Sequence, residues 1–160
     1  MDERKSETPE QSDDKRYLFV MVDGTEYGID LNIVQEIIVM QEISPIPSTK
    51  PFCRGVINIR GTIVPVIDLR IKMGLKACTY DESACIVIVA FDNEKIGMIV
   101  ESVRDVLLIQ PSQLQDSPTR TGGGSRHSIS SQIANIDGAV KQILDINRVF
   151  GVDQNREAAV

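Results

Sequence analysis

The only histidine of the chain, His127, lies among hydroxyl side chains of the kind that nucleophilic catalysis uses. Ser125, Ser128, Ser130 and Ser131 surround it in the sequence. A serine nucleophile requires a base and an orienting acid that converge on a rigid frame, often with the serine at a sharp strand-to-helix turn. This histidine instead lies in a stretch rich in glycine and serine, which predicts an exposed loop. The pattern favours that loop over a hydrolytic site, and no catalytic residue is predicted.

A glycine run and three cysteines are the other features that could support chemistry. Gly122-Gly123-Gly124 could offer backbone amides to a phosphate, but the run lacks the lysine and the Ser/Thr of a P-loop. The cysteines, at positions 53, 78 and 85, are odd in number and contain no CxxC pair. This argues against a disulfide framework and against a zinc site. We therefore expect no metal and no cofactor.

Composition excludes several classes of partner. The 160 residues carry a formal net charge of -6 and 4% aromatic side chains. Nucleic-acid binding needs clustered Lys and Arg for the phosphates and aromatic rings for the bases, so no nucleic-acid partner is predicted. No run approaches the roughly 18 apolar residues that a membrane span needs. The charged first five residues are also unlike a signal peptide. We expect a cytoplasmic protein without direct membrane insertion.

The hydrophobic pattern predicts a mainly β protein with short helices. Hairpins with turns at Asp23-Gly24 and Gly61-Thr62 alternate with short helical segments that Asp30 and Asp68 could cap. Several short strands with little room for long helices favour small closed barrels. The predicted spans are a disordered N-terminal tail at residues 1–15, an ordered domain at 16–152 and a C-terminal tail at 153–160.

The order of elements in the first half of the chain recurs in the second. An offset of 69 residues superposes Asp23 on Asp92, Gly28 on Gly97, Val34 on Val103 and Glu36 on Asp105. An offset of 77 residues superposes Asn58 on Asn135, Gly61 on Gly138 and Asp68 on Asp145. The extra length of the second copy falls at residues 119–126. The repeat predicts two similar β modules, at approximately residues 16–76 and 84–152.

One hairpin, at residues 55–70, carries an unusual charge. Arg60 interrupts its apolar strands beside the turn residue Gly61. Glu36 lies between Val34 and Ile37 and is a candidate partner, because a bidentate ion pair would orient the guanidinium. The alternative is an arginine that is merely exposed at the tip of a hairpin.

Residues 55–70 also resemble the signature of the CheW family, whose members couple chemoreceptors to the CheA histidine kinase. The resemblance extends over residues 16–151. The other matching segments are residues 27–30, 34–37, 46–47, 51–52, 97–100 and 103–106. Residues 132–135 and 141–142 depart from the family pattern, and so does the glycine run at 122–124. We therefore expect the contacts typical of the family to hold for the first module more than for the last hairpin.

The resemblance implies two intertwined SH3-like five-stranded β-barrel subdomains and no enzymatic activity. It implies separate surfaces for the cytoplasmic tip of chemoreceptors (methyl-accepting chemotaxis proteins) and for the regulatory domain of CheA, with recruitment to membrane-associated receptor arrays. The positions that it links to partner binding are Val34, Glu36, Gly55, Arg60, Gly61 and Gly97, and it implies that Glu36 and Arg60 meet. Val34 and Val103 are further expected to line an apolar groove between the modules that receives the receptor's helices.

Three other functions stay open at the level of the sequence. The same adaptor could serve a pilus-motility or another non-flagellar pathway. A small hydrolase would need a polar pocket around His127 or a cysteine. RNA binding would need a basic stripe, which the acidic balance disfavours.

Overall fold

The described part of the chain folds mainly into β-strands joined by turns and short connections. The computed structural model describes residues 13–47, 50–116 and 129–151. The strands in these residues are β1 Lys15–Val22, β2 Thr25–Asp30, β3 Val34–Val39, β4 Cys53–Ile59, β5 Thr62–Asp68, β6 Cys85–Phe91, β7 Glu94–Val100, β8 Ser102–Ile109, β9 Leu114–Asp116, β10 Ser130–Ile136 and β11 Ala139–Leu144. The helical segments are a 3-10 turn at Leu31–Ile33, helix α1 at Leu69–Lys72, a 3-10 turn at Pro111–Gln113 and a π-helical turn at Asn147–Gly151. The mainly β prediction is confirmed.

Each of the two sheets takes strands from both halves of the chain. One sheet has six strands in the order β8-β1-β2-β11-β10-β9, and the other has five in the order β3-β6-β7-β5-β4. The hairpins β1–β2 and β6–β7 are thus exchanged between the halves, and parallel pairs join them to their new sheets, β2 with β11 and β5 with β7. The predicted modules at residues 16–76 and 84–152 are therefore intertwined, and neither supplies a whole sheet. Closure of each sheet into an SH3-like barrel stays a prediction.

Equivalent hydrogen bonds support the internal repeat. In both copies, the amide of the second residue of a hairpin turn, a glycine, donates to an asparagine side chain; the pairs are Gly61 with Asn58 and Gly138 with Asn135. A backbone hydrogen bond is also repeated: the amide of Asp68 donates to the carbonyl oxygen of Phe52, and the amide of Asp145 donates to that of Ile129. Under the same correspondence the order β3-β6-β7-β5-β4 becomes β8-β1-β2-β11-β10. The two halves of the chain therefore share one architecture.

Turns and caps follow the local sequence closely. Asp23 and Gly24 both adopt positive φ, as a two-residue hairpin turn requires. Asp30 and Asp68 each accept a hydrogen bond from the backbone amide two residues later, so both predicted caps are confirmed. The second hairpin turns one residue earlier than predicted. Its turn is Arg60-Gly61 and not Gly61-Thr62, because Arg60 takes a left-handed conformation and β5 begins at Thr62.

The core has a shared part and a part inside each sheet. The largest buried cluster combines β1 and β2 of one sheet with β6 and β7 of the other; Leu18, Tyr27, Val87 and Met98 are among its members. Two smaller clusters lie within one sheet each; they include Ile57, Val64 and Ile86 in the five-stranded sheet and Phe19, Ile109 and Ile143 in the six-stranded sheet. Within the described residues, no helix is long and apolar enough to cross a membrane.

Arg70 joins the segments that connect the two sheets. Its Nη1 donates to Glu101 Oε2 at 2.8 Å and to Asp23 Oδ1 at 3.2 Å, and its Nε donates to the carbonyl oxygen of Lys76 at 3.1 Å. The side chain is 14% exposed. Helix α1 is thereby fixed to the β1–β2 turn, to the β7–β8 connection and to the chain that leads into β6.

Replacing Gly97 by alanine should destabilise the fold by about 1 to 3 kcal/mol, because it overpacks a filled core. Gly97 is buried in β7, and an added Cβ would lie 2.8 Å from Ile86 Cγ2. Urea unfolding of the single variants and of the double variant with Ile86→Ala measures the interaction between the two sites. We expect the double variant to lose less free energy of unfolding than the two single variants lose in sum. Strict additivity would contradict the proposed crowding.

Candidate functional site

The tip of hairpin β4–β5 presents a basic side chain from an unusual backbone conformation. Arg60 and Gly61 form the turn with φ values of 49° and 89°. Asn58 Oδ1 accepts the amide of Gly61 at 2.9 Å and fixes the turn. Glycine adopts such a conformation easily, whereas an arginine there is uncommon. Backbone conformations of this kind cluster at functional sites, which makes Arg60 a candidate for function beyond the turn itself.

Glu36 in β3 meets Arg60 in a bidentate ion pair, as the sequence predicted. Arg60 Nη1 donates to Glu36 Oε2 at 2.9 Å, and Nη2 donates to Oε1 at 2.7 Å. The hydrogen bonds from Arg60 hold the pKa of the Glu36 carboxyl below its usual range, and those to Glu36 raise the pKa of the guanidinium. The Arg60 side chain is 70% exposed. The pair therefore orients a guanidinium that water, or a partner protein, can reach.

Replacing Arg60 by alanine should raise the pKa of Glu36 toward the ordinary value of about 4.3. Because the folded-state pKa is lowered, the pair contributes stability above that ordinary value and loses it as the pH falls through the folded-state pKa. An NMR titration of the Glu36 side-chain carboxyl carbon measures the change. The matched control is Lys95→Ala, which removes a weaker electrostatic contribution to the same pKa. It should move the pKa by less, and an unchanged pKa in the Arg60 variant would contradict the assignment.

Gly55 allows the two edges of the five-stranded sheet to meet beside this pair. Ser44 follows β3, and its amide and carbonyl exchange hydrogen bonds with those of Val56 in β4, both at 2.9 Å. Gly55 is buried with φ 140°, and an added Cβ would lie 2.1 Å from the Ser44 carbonyl oxygen. Strands β3 and β4 are the opposite edges of their sheet. The Glu36–Arg60 pair and the Ser44–Val56 bridge therefore join the same two edges.

Comparison with known proteins assigns the family. The family model of the CheW-like domain matches residues 16–154. The chain belongs to the CheW family. It is 30% identical over 151 residues to the chemotaxis protein CheW of Bacillus subtilis, covering 94% of this chain and 96% of that one. It is 36% identical over 104 residues to the chemotaxis protein CheW of Klebsiella aerogenes, covering 65% of this chain and 63% of that one.

A solved structure of the CheW family has the same fold. The crystal structure of the scaffolding protein TtCheW from Thermoanaerobacter tengcongensis is similar with a TM-score of 0.77 and 29% identity. The similarity covers 85% of this chain and 92% of that one. The similarity therefore extends over most of both chains.

The residues predicted for partner binding in this CheW-family chain fall into three structural groups. Glu36, Arg60 and Gly61 come together at the exposed tip of hairpin β4–β5. Gly55 and Gly97 are buried, where they permit close packing and present no side chain. Val34 and Val103 are partly buried and pack against the largest core cluster from β3 and β8. Contact of any of these residues with a partner stays a prediction.

Sequence reasoning missed a set of exposed apolar side chains that the repeat duplicates. Ile37, Val39 and Ile63 are 43%, 73% and 58% exposed. Their equivalents in the second copy, Val106, Leu108 and Val140, are 45%, 52% and 62% exposed. We call these the first and second apolar sets. From the sequence alone, these aliphatic residues indicated strands and nothing more. The internal repeat was the signal that could have matched each residue of the first set with its equivalent in the second.

Charge distinguishes the two apolar sets. The first set shares β3 and hairpin β4–β5 with the Glu36–Arg60 ion pair, and along β3 its residues alternate with Glu36. At the equivalent positions, the second copy has Asp105 in β8 and Asp137 in the β10–β11 turn, both exposed. One copy therefore carries a neutralised pair where the other carries two acids. The repeated surfaces are similar in shape-forming residues and different in charge.

A buried carboxylate was also missed. Asp68, predicted only as a cap, is fully buried and accepts Tyr80 Oη at 2.8 Å and Arg54 Nη1 at 3.2 Å. Burial and the hydrogen bond to Asp68 raise the pKa of Tyr80 above its usual range. The residues that satisfy Asp68 come from β4 and from the connection before β6. This cluster fixes that connection to the end of β5.

The remaining candidates for chemistry are not brought together. His127 and Gly122-Gly123-Gly124 lie outside the described residues. Cys78 is exposed, while Cys53 and Cys85 are partly exposed. Burial raises the pKa of the Cys85 thiol. Among residues 13–47, 50–116 and 129–151, no three His, Cys, Asp or Glu side chains form a group that could hold a metal ion.

Proposed function

We propose that this chain is a non-catalytic adaptor of bacterial chemotaxis that couples chemoreceptors to the CheA histidine kinase. It would act in the cytoplasm, at membrane-associated receptor arrays. The observation that carries the proposal is the pair of repeated apolar sets with unlike charge. Exposed apolar side chains that form a contiguous patch mark interaction surfaces, and unlike charges let two partners distinguish similar surfaces. Family membership and relatives named chemotaxis protein and scaffolding protein support the same role.

The receptor surface of this proposal lies at the margin of the shared core. Val34 and Val103 are equivalent in the repeat and both pack against the cluster that joins the two sheets. The cytoplasmic tip of a chemoreceptor offers amphipathic helices, which bind by laying apolar side chains into a groove. The two valines would contribute to that groove from opposite copies.

The kinase surface would use the apolar sets and the Glu36–Arg60 pair. The resemblance to the CheW family implies that the regulatory domain of CheA has the same fold as this chain. That domain would therefore present strands that match those of the adaptor. Because receptor and kinase would bind the same adaptor, a movement of the receptor could shift the kinase between its active and inactive states without any chemistry in the adaptor.

Co-sedimentation with receptor fragments and CheA tests this function. We expect the chain to pellet with both partners and the pellet to show receptor-dependent kinase activity. Val39→Lys and Leu108→Lys change one apolar set each at exposed positions and should weaken kinase retention. Gln115→Lys, at an exposed polar position in β9, is the matched control and should not. Failure of the unaltered chain to bind either partner would refute the adaptor role.

A further inference from the structure

A cavity of about 270 Å³ opens at the ends of the parallel strands β2 and β11. Because parallel strands end on the same side, their last residues and the turns that follow line one space. Its walls include Tyr17, Ile29 and Asp30 on one side and Ser131, Ile143 and Asp145 on the other. This volume lies just below the usual range for ligand pockets, and it suits one side chain better than a drug-sized molecule.

The equivalent place in the other copy is filled. Asp145 corresponds to Asp68, whose carboxylate accepts the hydroxyl of Tyr80 and the guanidinium of Arg54. In the second copy the position of Arg54 is taken by Ser131. Continuing the 69-residue offset, the position of Tyr80 is taken by Gln11, outside the described residues. The repeat thus preserves the carboxylate and replaces both side chains that satisfy it in the first copy.

An unused hydroxyl points to a ligand for the same cavity. Tyr17 lines it and is only 4% exposed. Within the described part of the chain its hydroxyl makes no hydrogen bond, although buried polar groups are nearly always bonded. Asp145 accepts the amide of Asn147 and lies 3.6 Å from Arg148, which leaves its carboxylate with free acceptor capacity.

We propose that this cavity binds a tyrosine side chain presented by a partner protein. The phenol would donate to Asp145, as Tyr80 donates to Asp68, and would accept from the hydroxyl of Tyr17. A cationic side chain fits less well, because Lys15 and Arg148 already pair with Asp30 and Asp145. The chain contains three tyrosines, at positions 17, 27 and 80, and all lie in the fold described above. The occupant must therefore come from outside, and this inference does not depend on the adaptor role.

Titration of the isotope-labelled full chain with N-acetyl-L-tyrosinamide, followed by amide chemical shifts, tests the proposal. We expect saturable shifts at Ile29, Ile143 and Asp145. N-acetyl-L-phenylalaninamide, which lacks only the hydroxyl, should bind about tenfold more weakly, since it leaves the buried Tyr17 hydroxyl and the partly buried Asp145 carboxylate without that hydrogen-bond partner. No saturable shift at these amides, or equal affinity for the two probes, would overturn it.

Variants separate the cavity from general surface binding. Asp145→Asn retains the hydrogen bond to the Asn147 amide and should weaken the tyrosine probe about tenfold, to the level of the phenyl probe. Tyr17→Phe removes a hydroxyl that makes no hydrogen bond among the described residues, and it should also weaken the tyrosine probe. Tyr80→Ala opens the equivalent space beside Asp68, and a second set of shifts there shows that such a space binds phenol. Unchanged affinity in both the Asp145 and the Tyr17 variants would refute the assignment.

Discussion

Replacing Gly55 by alanine is expected to remove much of the folding stability of the chain. The new Cβ would lie 2.1 Å from the carbonyl oxygen of Ser44, a backbone atom that cannot turn away. The φ of 140° adds conformational strain of about 1 to 3 kcal/mol, and overpacking adds about as much again. Domains of this size are stable by roughly 5 to 15 kcal/mol. Urea unfolding followed by circular dichroism measures the loss.

Gly61→Ala is the matched control for this variant. Gly61 also has a positive φ, 89°, but nothing lies within 4 Å of an added Cβ. Alanine there should cost only the conformational strain of about 1 to 2 kcal/mol. If the two variants lost equal stability, the effect at Gly55 would be conformational alone. The close approach of Ser44 to β4 would then not be what joins the edges of the sheet.

Local features could be predicted from the sequence because a few neighbouring atoms decide them. Asp23-Gly24 adopts the positive φ pair that a tight hairpin needs, and Asp30 and Asp68 accept backbone amides at the start of the short helical segments that follow them. The turn at Arg60 was misplaced by one residue because Arg60, an unusual residue for a left-handed conformation, occupies it. Propensity alone favours glycine there.

Partners of strands could not be predicted in the same way. A run of aliphatic residues predicts a strand but carries no information on its neighbour, and the exchanged hairpins pair residues far apart in sequence. The exposure of individual side chains could not be predicted for a related reason. Ile37 and Val39 alternate with Glu36 and Ile38 along β3, so the register of the sheet, and not the residue type, decides which face meets water.

The predicted site depends both on local sequence features and on contacts between residues far apart in the sequence. Glu36 and Arg60 were paired from their types, from the place of Glu36 between Val34 and Ile37 and from the resemblance to the CheW family, and the structure confirms the contact. The Asp68 cluster was missed because one oxygen serves two roles. Asp68 Oδ1 accepts both the Arg70 amide, which the local sequence predicts, and the Tyr80 hydroxyl, which comes from a connection without regular structure.

Replacing Arg60 by alanine is expected to uncouple kinase control while the fold persists. The ion pair is at the surface, and such pairs contribute little to stability, so the unfolding midpoint should stay near that of the unaltered chain. An exposed, oriented arginine is a typical centre of binding energy at an interface. In a reconstituted assay with receptor fragments and CheA, receptor-dependent kinase activity should fall at least about tenfold. A folded variant that still activates CheA would refute the assignment.

Charge exchange distinguishes orientation from direct contact. Glu36→Ala frees the guanidinium of Arg60 without removing it, so an intermediate loss of activity is expected if the pair mainly orients Arg60. The double variant Glu36→Arg with Arg60→Glu can re-form the ion pair with its charges reversed. If the pair only joins β3 to hairpin β4–β5, this variant should recover coupling. If Arg60 binds the partner, as we propose, it should remain as defective as Arg60→Ala, because the basic group would then lie on β3 and no longer at the tip of the hairpin.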